Sequence, residues 1–391
     1  MRVLLLTFKQ DRGENLAQSL AEHGHVVTVD GVLLGRYELA AKMMRACRIV
    51  LQNLGRHDVV IAENPVWDAI VALALTRLRR RKVPLVFYSK GFAPASIEEH
   101  GRRGSRRLSL WALKRILRSC DHVVYISDWL RREYLQAMRI PSLAQKPYSI
   151  IHNAPAPEFL DSEYDDSREP ASGSNPVTTT ICYAGRFGLW DKSRGVILLL
   201  EALARLAREV PNLEFKCCVA GDGKYLPTLT EAAANLDIAD CISFVGKLDG
   251  QALRDFYRSS DVFIYPSFQD ACPTVVMEAQ ASGLPVVVTR SCGAAELVEH
   301  GLSGLICEPT PDSVAESVAA LIRDRSLCAA MGAQARMHIA HDLSWEVCAQ
   351  KMHNVLSKYD RCPEKLDDTT PPASELVETT QNASAHRNVT T

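Results

Sequence analysis

The stretch Tyr265-Pro-Ser-Phe-Gln-Asp-Ala-Cys-Pro-Thr-Val-Val-Met-Glu-Ala-Gln-Ala-Ser-Gly-Leu-Pro-Val-Val, residues 265–287, decides the fold. The apolar run ending at Tyr265 reads as a strand, and the polar residues after it read as a loop. Pro273 suits the first turn of a helix, Gly283 suits its end, and a second apolar run follows. A strand, loop, helix and strand in this order make one unit of a parallel α/β sheet. Asp270 falls just before the helix and Glu278 in its second turn. The first amides of a helix lack intrahelical partners and favour anions. The segment Ala271, Cys272, Pro273 and Thr274 at that helix start lies between two carboxylates that can accept from hydroxyls. That pattern suits a ligand that carries phosphates together with sugars.

The same rhythm runs outward in both directions. Short apolar, β-branched runs at 3–7, 26–29, 59–62, 85–88 and 123–126 are each followed by a helix-length segment, as are runs at 180–184, 215–220, 242–245, 262–265, 285–289 and 304–307. Between the two series the rhythm breaks at 154–158 and through 161–176, which are rich in Pro, Ser, Gly and Asp. The expected fold class is α/β, with two doubly wound, Rossmann-like halves: residues 1–155, a linker at 156–176, and residues 177–342. The segment after 359 is rich in Thr, Ser, Pro and Glu, so 360–391 is expected to be a disordered tail. Its sequons at Asn382 and Asn388 carry no meaning in a cytosolic chain.

Composition agrees with that reading. The chain has 391 residues, 47% hydrophobic and 23% charged, which excludes a wholly disordered chain, a collagen or a small disulfide scaffold. No apolar run reaches the roughly 18 to 20 residues that span a bilayer, and the apolar start at 3–6 is too short for a signal peptide, so a cytosolic protein is expected. Twelve cysteines without a C-x-x-C pair read as reduced core residues rather than as metal ligands or disulfides. Net charge of -1 hides an asymmetry: residues 1–160 hold 25 Lys+Arg against 14 Asp+Glu, and the remainder 20 against 32. The basic half suggests an anionic partner.

The motifs around the quoted stretch resemble the E-x7-E signature of retaining, family-4-type glycosyltransferases with the GT-B fold, in which two Rossmann-like domains face a cleft. Asp270 stands in the first Glu position, one methylene shorter, and Glu278 in the second. Ala184-Gly-Arg-Phe-Gly188 with Asp191-Lys-Ser-Arg-Gly-Val196 is similar to the family segment carrying the Arg and Lys that clamp the donor diphosphate. Arg186 matches the arginine; Lys192 has the residue type of the lysine, while Arg194 has its place before the glycine. Val219-Ala-Gly-Asp-Gly223 resembles the family's glycine turn, and Phe244-Val-Gly-Lys-Leu248 the segment whose backbone contacts the base, which brings in Lys247 and Leu248. Gly293-Ala-Ala-Glu296 matches the loop that follows. Ser344-Trp-Glu346 resembles the start of a last helix, at about 343–359, that crosses back to the first domain. Neither glycine segment is a G-x-G-x-x-G fingerprint, so no nicotinamide or flavin is expected.

The first half resembles the family less. Phe8-Lys-Gln-Asp-Arg-Gly13 offers one glycine, Gly13, where relatives have a pair, and Phe87-Tyr-Ser-Lys-Gly-Phe92 replaces their histidine loop. Lys90 there reads either as a contact to phosphate or acceptor or as a surface lysine. Asp121-His-Val-Val-Tyr-Ile-Ser127 and Ile151-His-Asn153 resemble the last strands of that domain.

The resemblance implies a retaining transfer of a hexose-type sugar from a nucleotide-diphosphate sugar to a hydroxyl of a glycan or lipid-linked acceptor, as in bacterial surface polysaccharide or glycolipid assembly. No metal and no further cofactor is implied. Arg186 with Lys192 or Arg194 would stabilise the diphosphate, Asp270 orient the sugar and Glu278 hold the ribose. Two other readings stay open: a GT-B sugar-nucleotide epimerase or inverting transferase, and a non-catalytic sugar-nucleotide or glycan-binding subunit. Between Arg102 and Arg118 lie seven basic residues. On a helical wheel Leu110, Leu113, Ile116 and Leu117 share one arc, while Arg107, Lys114, Arg115, Arg118 and Trp111 share the other. This reads as a peripheral contact with an anionic membrane, or as a surface helix packed on its own sheet. Nucleic-acid binding is not expected, because stacking platforms and known motifs are missing.

Overall fold

The structure, a computed structural model, describes residues 1–7, 10–30, 39–53, 56–63, 67–77, 83–91, 103–160, 178–210, 214–360 and 377–379. Most of the expected linker and nearly all of the expected tail with both sequons lie outside the described residues. The chain forms two compact units: one of Met1–Ile126, Arg131–Ile151 and Cys348–Thr391, the other of Ser127–Leu130 and His152–Val347.

In the first unit the strands are β1 (Arg2–Leu6), β2 (Val26–Asp30), β3 (Val59–Ala62), β4 (Leu85–Ser89), β5 (His122–Tyr125) and β6 (Tyr148–Ile150). The helices that alternate with them are α1 (Gln10–Glu22), α2 (Leu39–Asn53), α3 (Trp67–Arg77), α4 (Arg103–Ser119) and α5 (Asp128–Met138), whose first three residues belong to the second unit. All strands pair in parallel, in the order β2-β1-β3-β4-β5-β6. Strands covered on both faces read as continuous apolar runs, and β3, β4 and β5 are buried at every position. A seventh strand, β13 (Val377–Thr379), adds to the open edge of β2. This corrects the expectation of a wholly disordered tail: the β-branched Val-Glu-Thr finds unpaired groups on an edge strand.

The second unit holds β7 (Thr179–Ala184), β8 (Phe215–Ala220), β9 (Ile242–Gly246), β10 (Val262–Tyr265), β11 (Val286–Thr289) and β12 (Gly304–Cys307). Its helices are α6 (Trp190–Glu209), α7 (Leu226–Asn235), α8 (Gly250–Arg258), α9 (Thr274–Ala281), α10 (Pro311–Arg323) and α11 (Arg325–Asp342). The parallel order β9-β8-β7-β10-β11-β12 reverses direction between β7 and β10. In open sheets of this kind ligands bind outside the carboxyl ends of the strands at that reversal.

A last helix, α12 (Trp345–Ser357), begins in the second unit, where the Trp345 indole donates to Pro155 O at 2.9 Å. From Cys348 its residues belong to the first unit. There His353 Nδ1 lies 2.9 Å from His25 Nε2, and the Tyr359 hydroxyl donates to Asp121 O at 3.1 Å.

On α4, Ala112, Leu113, Ile116 and Leu117 are fully buried, while Trp111, Leu108, Arg107 and Arg118 are exposed. Leu113, Ile116 and Leu117 thus pack inward, as expected of a surface helix on its own sheet, while Arg107, Trp111 and Arg118 look out. Among the described residues no helix is long and apolar enough to cross a membrane. Burial pushes the thiols of Cys120 up to about 12 and of Cys292 to about 11.

Candidate active site

The turn after β7 places Arg186 between half-buried Gly185 and buried Phe187, with its own side chain exposed. Phe187, fully buried, anchors that turn through its amide, which donates to Asp222 O at 2.9 Å. Gly221 and Gly223 in the next turn have φ of 143° and 152°, and a Cβ on them would lie 2.1 Å from Gly185 O and 2.3 Å from Phe187 C. Only glycine allows the two turns to back onto one another.

The loop after β10 is fixed on both sides. Thr289 Oγ1 accepts from Ser267 N at 2.9 Å and donates to Ser267 O at 2.6 Å, and the Ser291 hydroxyl donates to the same carbonyl at 2.7 Å. Gly293 N donates to Asp270 O at 2.7 Å, and a Cβ on Gly293 would sit 1.9 Å from Ala271 O. On α6 a Cβ on Gly195 would sit 2.1 Å from Pro266 O. Two glycines therefore press the loop from opposite elements and set where Asp270 stands.

Lys192 and Arg194, both in the first two turns of α6, part company here. Lys192 Nζ lies 3.0 Å from Asp270 Oδ2, whereas the Arg194 guanidinium stacks 4.4 Å from the centroid of Phe268. The ammonium beside the first carboxylate thus belongs to Lys192. Helix α9 starts one residue later than the sequence suggested: Pro273 is its cap, with φ -70° and ψ 115°, and no side chain caps the first amides. Ala271, Cys272 and Pro273 are buried and Thr274 is half-buried. Gly283, at φ 78°, ends the helix, and its amide donates to Gln280 O at 2.9 Å.

Two tyrosines that sequence reasoning missed complete the site. The Tyr265 hydroxyl donates to Asp270 Oδ2 at 2.8 Å, and the Tyr257 hydroxyl donates to Glu278 Oε2 at 3.3 Å. Burial, and then the adjacent carboxylate charge, push both phenols well above the ordinary tyrosine value, so both stay protonated donors. Each is visible in the sequence only as an aromatic residue in an apolar run or on a helix, with nothing to tie it to a carboxylate.

Other expected positions have different surroundings. Lys247, exposed after β9, pairs with Asp249, and Leu248 beside it is half-buried. Glu296, whose role the sequence left open, accepts from the amides of Asp128 and Trp129 at 2.7 and 2.6 Å and faces His152 Nε2 at 3.4 Å. Burial alone would raise its pKa, but these hydrogen bonds outweigh it and hold the carboxyl below its usual range.

In the first unit, Gly13 lies inside α1 rather than in an open loop, where a Cβ would come 2.5 Å from Thr7 Cγ2. Its hydrogen substituent serves packing between helix and strand. Lys90 is neither a surface lysine nor a free cation: its ammonium is buried 2.7 Å from Glu63 Oε1, a fully buried carboxylate whose Oε2 accepts from Thr7 at 2.5 Å. Desolvated charges need such partners, and Glu63 was the partner the sequence did not disclose.

Both units are matched by comparison with known proteins. The model of glycosyl transferases group 1 matches residues 166–338, and that of glycosyltransferase family 4 matches residues 2–158. A D-inositol 3-phosphate glycosyltransferase of Corynebacterium jeikeium is 31% identical over 207 residues, 51% of this chain and 46% of its own length. A GDP-mannose-dependent alpha-(1-6)-phosphatidylinositol monomannoside mannosyltransferase of Mycobacterium tuberculosis is 32% identical over 253 residues, 62% of this chain and 63% of its own. The matches thus span about half to under two thirds of these curated relatives. Among solved structures, sucrose-phosphate synthase of Thermosynechococcus elongatus superposes with a TM-score of 0.67 at 16% identity, covering 92% of this chain and 98% of its own. Anabaena HepE in complex with UDP and glucose superposes with a TM-score of 0.65 at 18% identity, covering 92% and 100%. Two family models that together account for both sheets, and a shared GT-B fold, lead to one conclusion: the chain belongs to the family-4, group-1 glycosyltransferases.

Proposed function

We propose that the protein transfers a hexose-type sugar, with retention of configuration, from a nucleotide-diphosphate sugar to a hydroxyl of a glycan or lipid-linked acceptor in glycolipid or surface polysaccharide synthesis. The observation that carries this reading is the pair of carboxylates about the uncapped start of α9, with Lys192 at the first of them. Arg186 and Lys192 neutralise the diphosphate as it departs, a role for which fixed cations in a partly dry site are well suited. Asp270 orients the sugar, and Glu278 accepts from the ribose hydroxyls. The departing phosphate assists removal of the acceptor proton on the same face. These cations supply the charge that a metal would otherwise supply, so turnover proceeds in EDTA. The curated relatives named for phosphatidylinositol mannosides and the HepE complex with UDP and glucose support a nucleotide sugar on one side and a lipid-linked acceptor on the other.

The same reading places the protein at the cytoplasmic face of a membrane. Helices α2 and α4 flank α3 and contain no acidic residue, and they expose Met43, Met44 and Leu51 on one and Leu108 and Trp111 on the other. A cationic surface studded with large apolar side chains is complementary to anionic lipid.

The test is turnover on a panel of UDP, GDP and ADP sugars, with and without membrane-lipid extract and EDTA, with the released nucleotide diphosphate and the anomer of the product measured. One donor, raised by lipid and indifferent to EDTA, with an α-linked product from an α-linked donor, is the expected result. An inverted product removes the retaining mechanism, and wild-type protein that binds no nucleotide removes the donor site.

A further inference from the structure

Asp270 receives two donors on one oxygen, and the two differ in kind. Lys192 is a flexible, partly exposed ammonium, 3.0 Å from Oδ2. Tyr265 is almost wholly buried, 2.8 Å from the same Oδ2, and its ring lies nearly parallel to Tyr183 and Phe263, tilted 10° from each, with centroids 5.6 and 6.3 Å away. The ring cannot leave this stack without opening the core of the sheet. Its hydroxyl cannot ionise away its proton, because burial and the neighbouring carboxylate oppose the phenolate.

We propose that Tyr265 is a positioning residue for the donor sugar: it holds Asp270 by Oδ2 and leaves Oδ1 to accept from a sugar hydroxyl, so that Lys192 is released to the diphosphate without the carboxylate turning. This rests on the donor-site reading above and adds a residue to it. The aspartate makes the device necessary. A side chain one methylene shorter than glutamate reaches less far, so its carboxylate has to be fixed at the angle that presents the free oxygen. A phenol anchored five residues earlier, at the end of the strand, does this without adding charge. The diphosphate, by contrast, demands the ammonium, and a lysine on a flexible stem can answer that demand.

The experiment compares nucleotide with sugar nucleotide. Calorimetric affinities for UDP, UDP-glucose, GDP and GDP-mannose are measured for wild type, Tyr265→Phe, Asp270→Ala and the double variant, with thermal melts as a check of folding. Tyr265→Phe keeps the stacked ring and removes one oxygen. It is expected to leave affinity for the bare nucleotide within about twofold and to lower affinity for the preferred sugar nucleotide about tenfold, the scale of one hydrogen bond to a charged group. In the Asp270→Ala background the same substitution is expected to have no further effect, because a residue acting through Asp270 has nothing left to act on. Tyr183→Phe, whose hydroxyl is not hydrogen-bonded to Asp270, serves as the neutral control. Equal losses for nucleotide and sugar nucleotide, an equal loss in both backgrounds, or no loss at all overturns the role of Tyr265. Wild-type protein that binds none of the four ligands overturns the donor site itself, a distinct outcome.

Discussion

Lys192 and Arg194 are two residues apart on one helix, yet they meet different partners, and that difference predicts different kinetics. Lys192 sits at the carboxylate of Asp270, where it can reach a diphosphate, whereas Arg194 is spread over the Phe268 ring. Lys192→Met should lower turnover about a hundredfold, the scale for loss of one group that stabilises developing charge. Arg194→Met should cost less than tenfold and act mainly on thermal stability. A comparison of kcat for the two variants checks this, and equal losses would return Arg194 to the diphosphate. Glu278→Gln should weaken binding of the bare nucleotide about tenfold, because a carboxylate acceptor for hydroxyls is worth about 1.5–3 kcal/mol. Unchanged nucleotide affinity would take the ribose away from Glu278.

At the scale of elements, the site depends on two glycines that hold a loop between a helix and a turn. Gly293→Ala would drive a methyl into the Ala271 carbonyl, 1.9 Å away, and backbone on backbone has no cheap relaxation. The expected cost is at least about 1–3 kcal/mol, with loss of sugar-nucleotide binding as Asp270 shifts. A melt with normal stability and normal binding would show that the loop accommodates. Strand positions were legible in the sequence because apolar, β-branched runs have one reading when both faces are covered, and the order of elements left little choice of topology. The Asp270 and Glu278 spacing was legible for the same reason, since a loop and a helix of known length fix it. The side-chain partners were not: Tyr265 to Asp270, Tyr257 of α8 to Glu278 and Glu63 to Lys90 are meetings that no hydrophobic pattern encodes. The strand at Val377–Thr379 was hidden because three residues in a polar tail carry too weak a signal, and only the open edge of β2 gives them a place.

Packing of α12 on the first unit carries a pH dependence. His25 is buried with His353 Nδ1 2.9 Å from its Nε2 and the His23 ring 5.6 Å from that of His353. Burial first, then the charges of the chain's amino terminus, His353 and His23, lower the His25 pKa to about 4, with Asp360 acting in the opposite sense. In the unfolded chain histidine titrates near 6.5, so between about 6.5 and 4 the unfolded state takes up the proton and the folded state does not. This contribution is therefore complete above about pH 6.5 and is lost as pH falls towards 4, with roughly 1–3 kcal/mol at stake. Glu296 acts in the same direction at lower pH, since its depressed carboxyl loses its hydrogen bonds on protonation. Denaturant melts at pH 7.5, 6 and 5 should show falling stability, and His25→Gln should flatten the upper part of that fall. A His25→Gln profile parallel to wild type would assign the loss to other groups.

At the scale of the whole molecule, charge is partitioned by sequence half, 25 Lys+Arg against 14 Asp+Glu over residues 1–160 and 20 against 32 beyond. Surface charge of one sign acts over about a Debye length and then needs short-range contacts to hold what it attracts. The first unit exposes both kinds of group: Arg107 and Arg118 on α4, and Met43, Met44 and Leu51 on α2 with Leu108 and Trp111 on α4. The two contributions separate by salt. Substitution of Arg107, Lys114, Arg115 and Arg118 by Ser should abolish binding to phosphatidylglycerol vesicles that is measured at low salt, each charge being worth about 1 kcal/mol. Substitution of Met43, Met44 and Leu51 by Ser should leave the low-salt encounter and remove the fraction that stays bound at 0.5 M salt, because burial of apolar surface is not screened. Sedimentation with vesicles of phosphatidylglycerol and of phosphatidylcholine distinguishes the cases. Binding that is equal on both lipids, or that survives both sets of substitutions, would leave α2 and α4 as ordinary surface helices. A wild-type chain that elutes as a dimer, and as a monomer once the apolar residues are replaced, would make a second copy the occupant. The uniform positive charge of the two helices opposes that pairing.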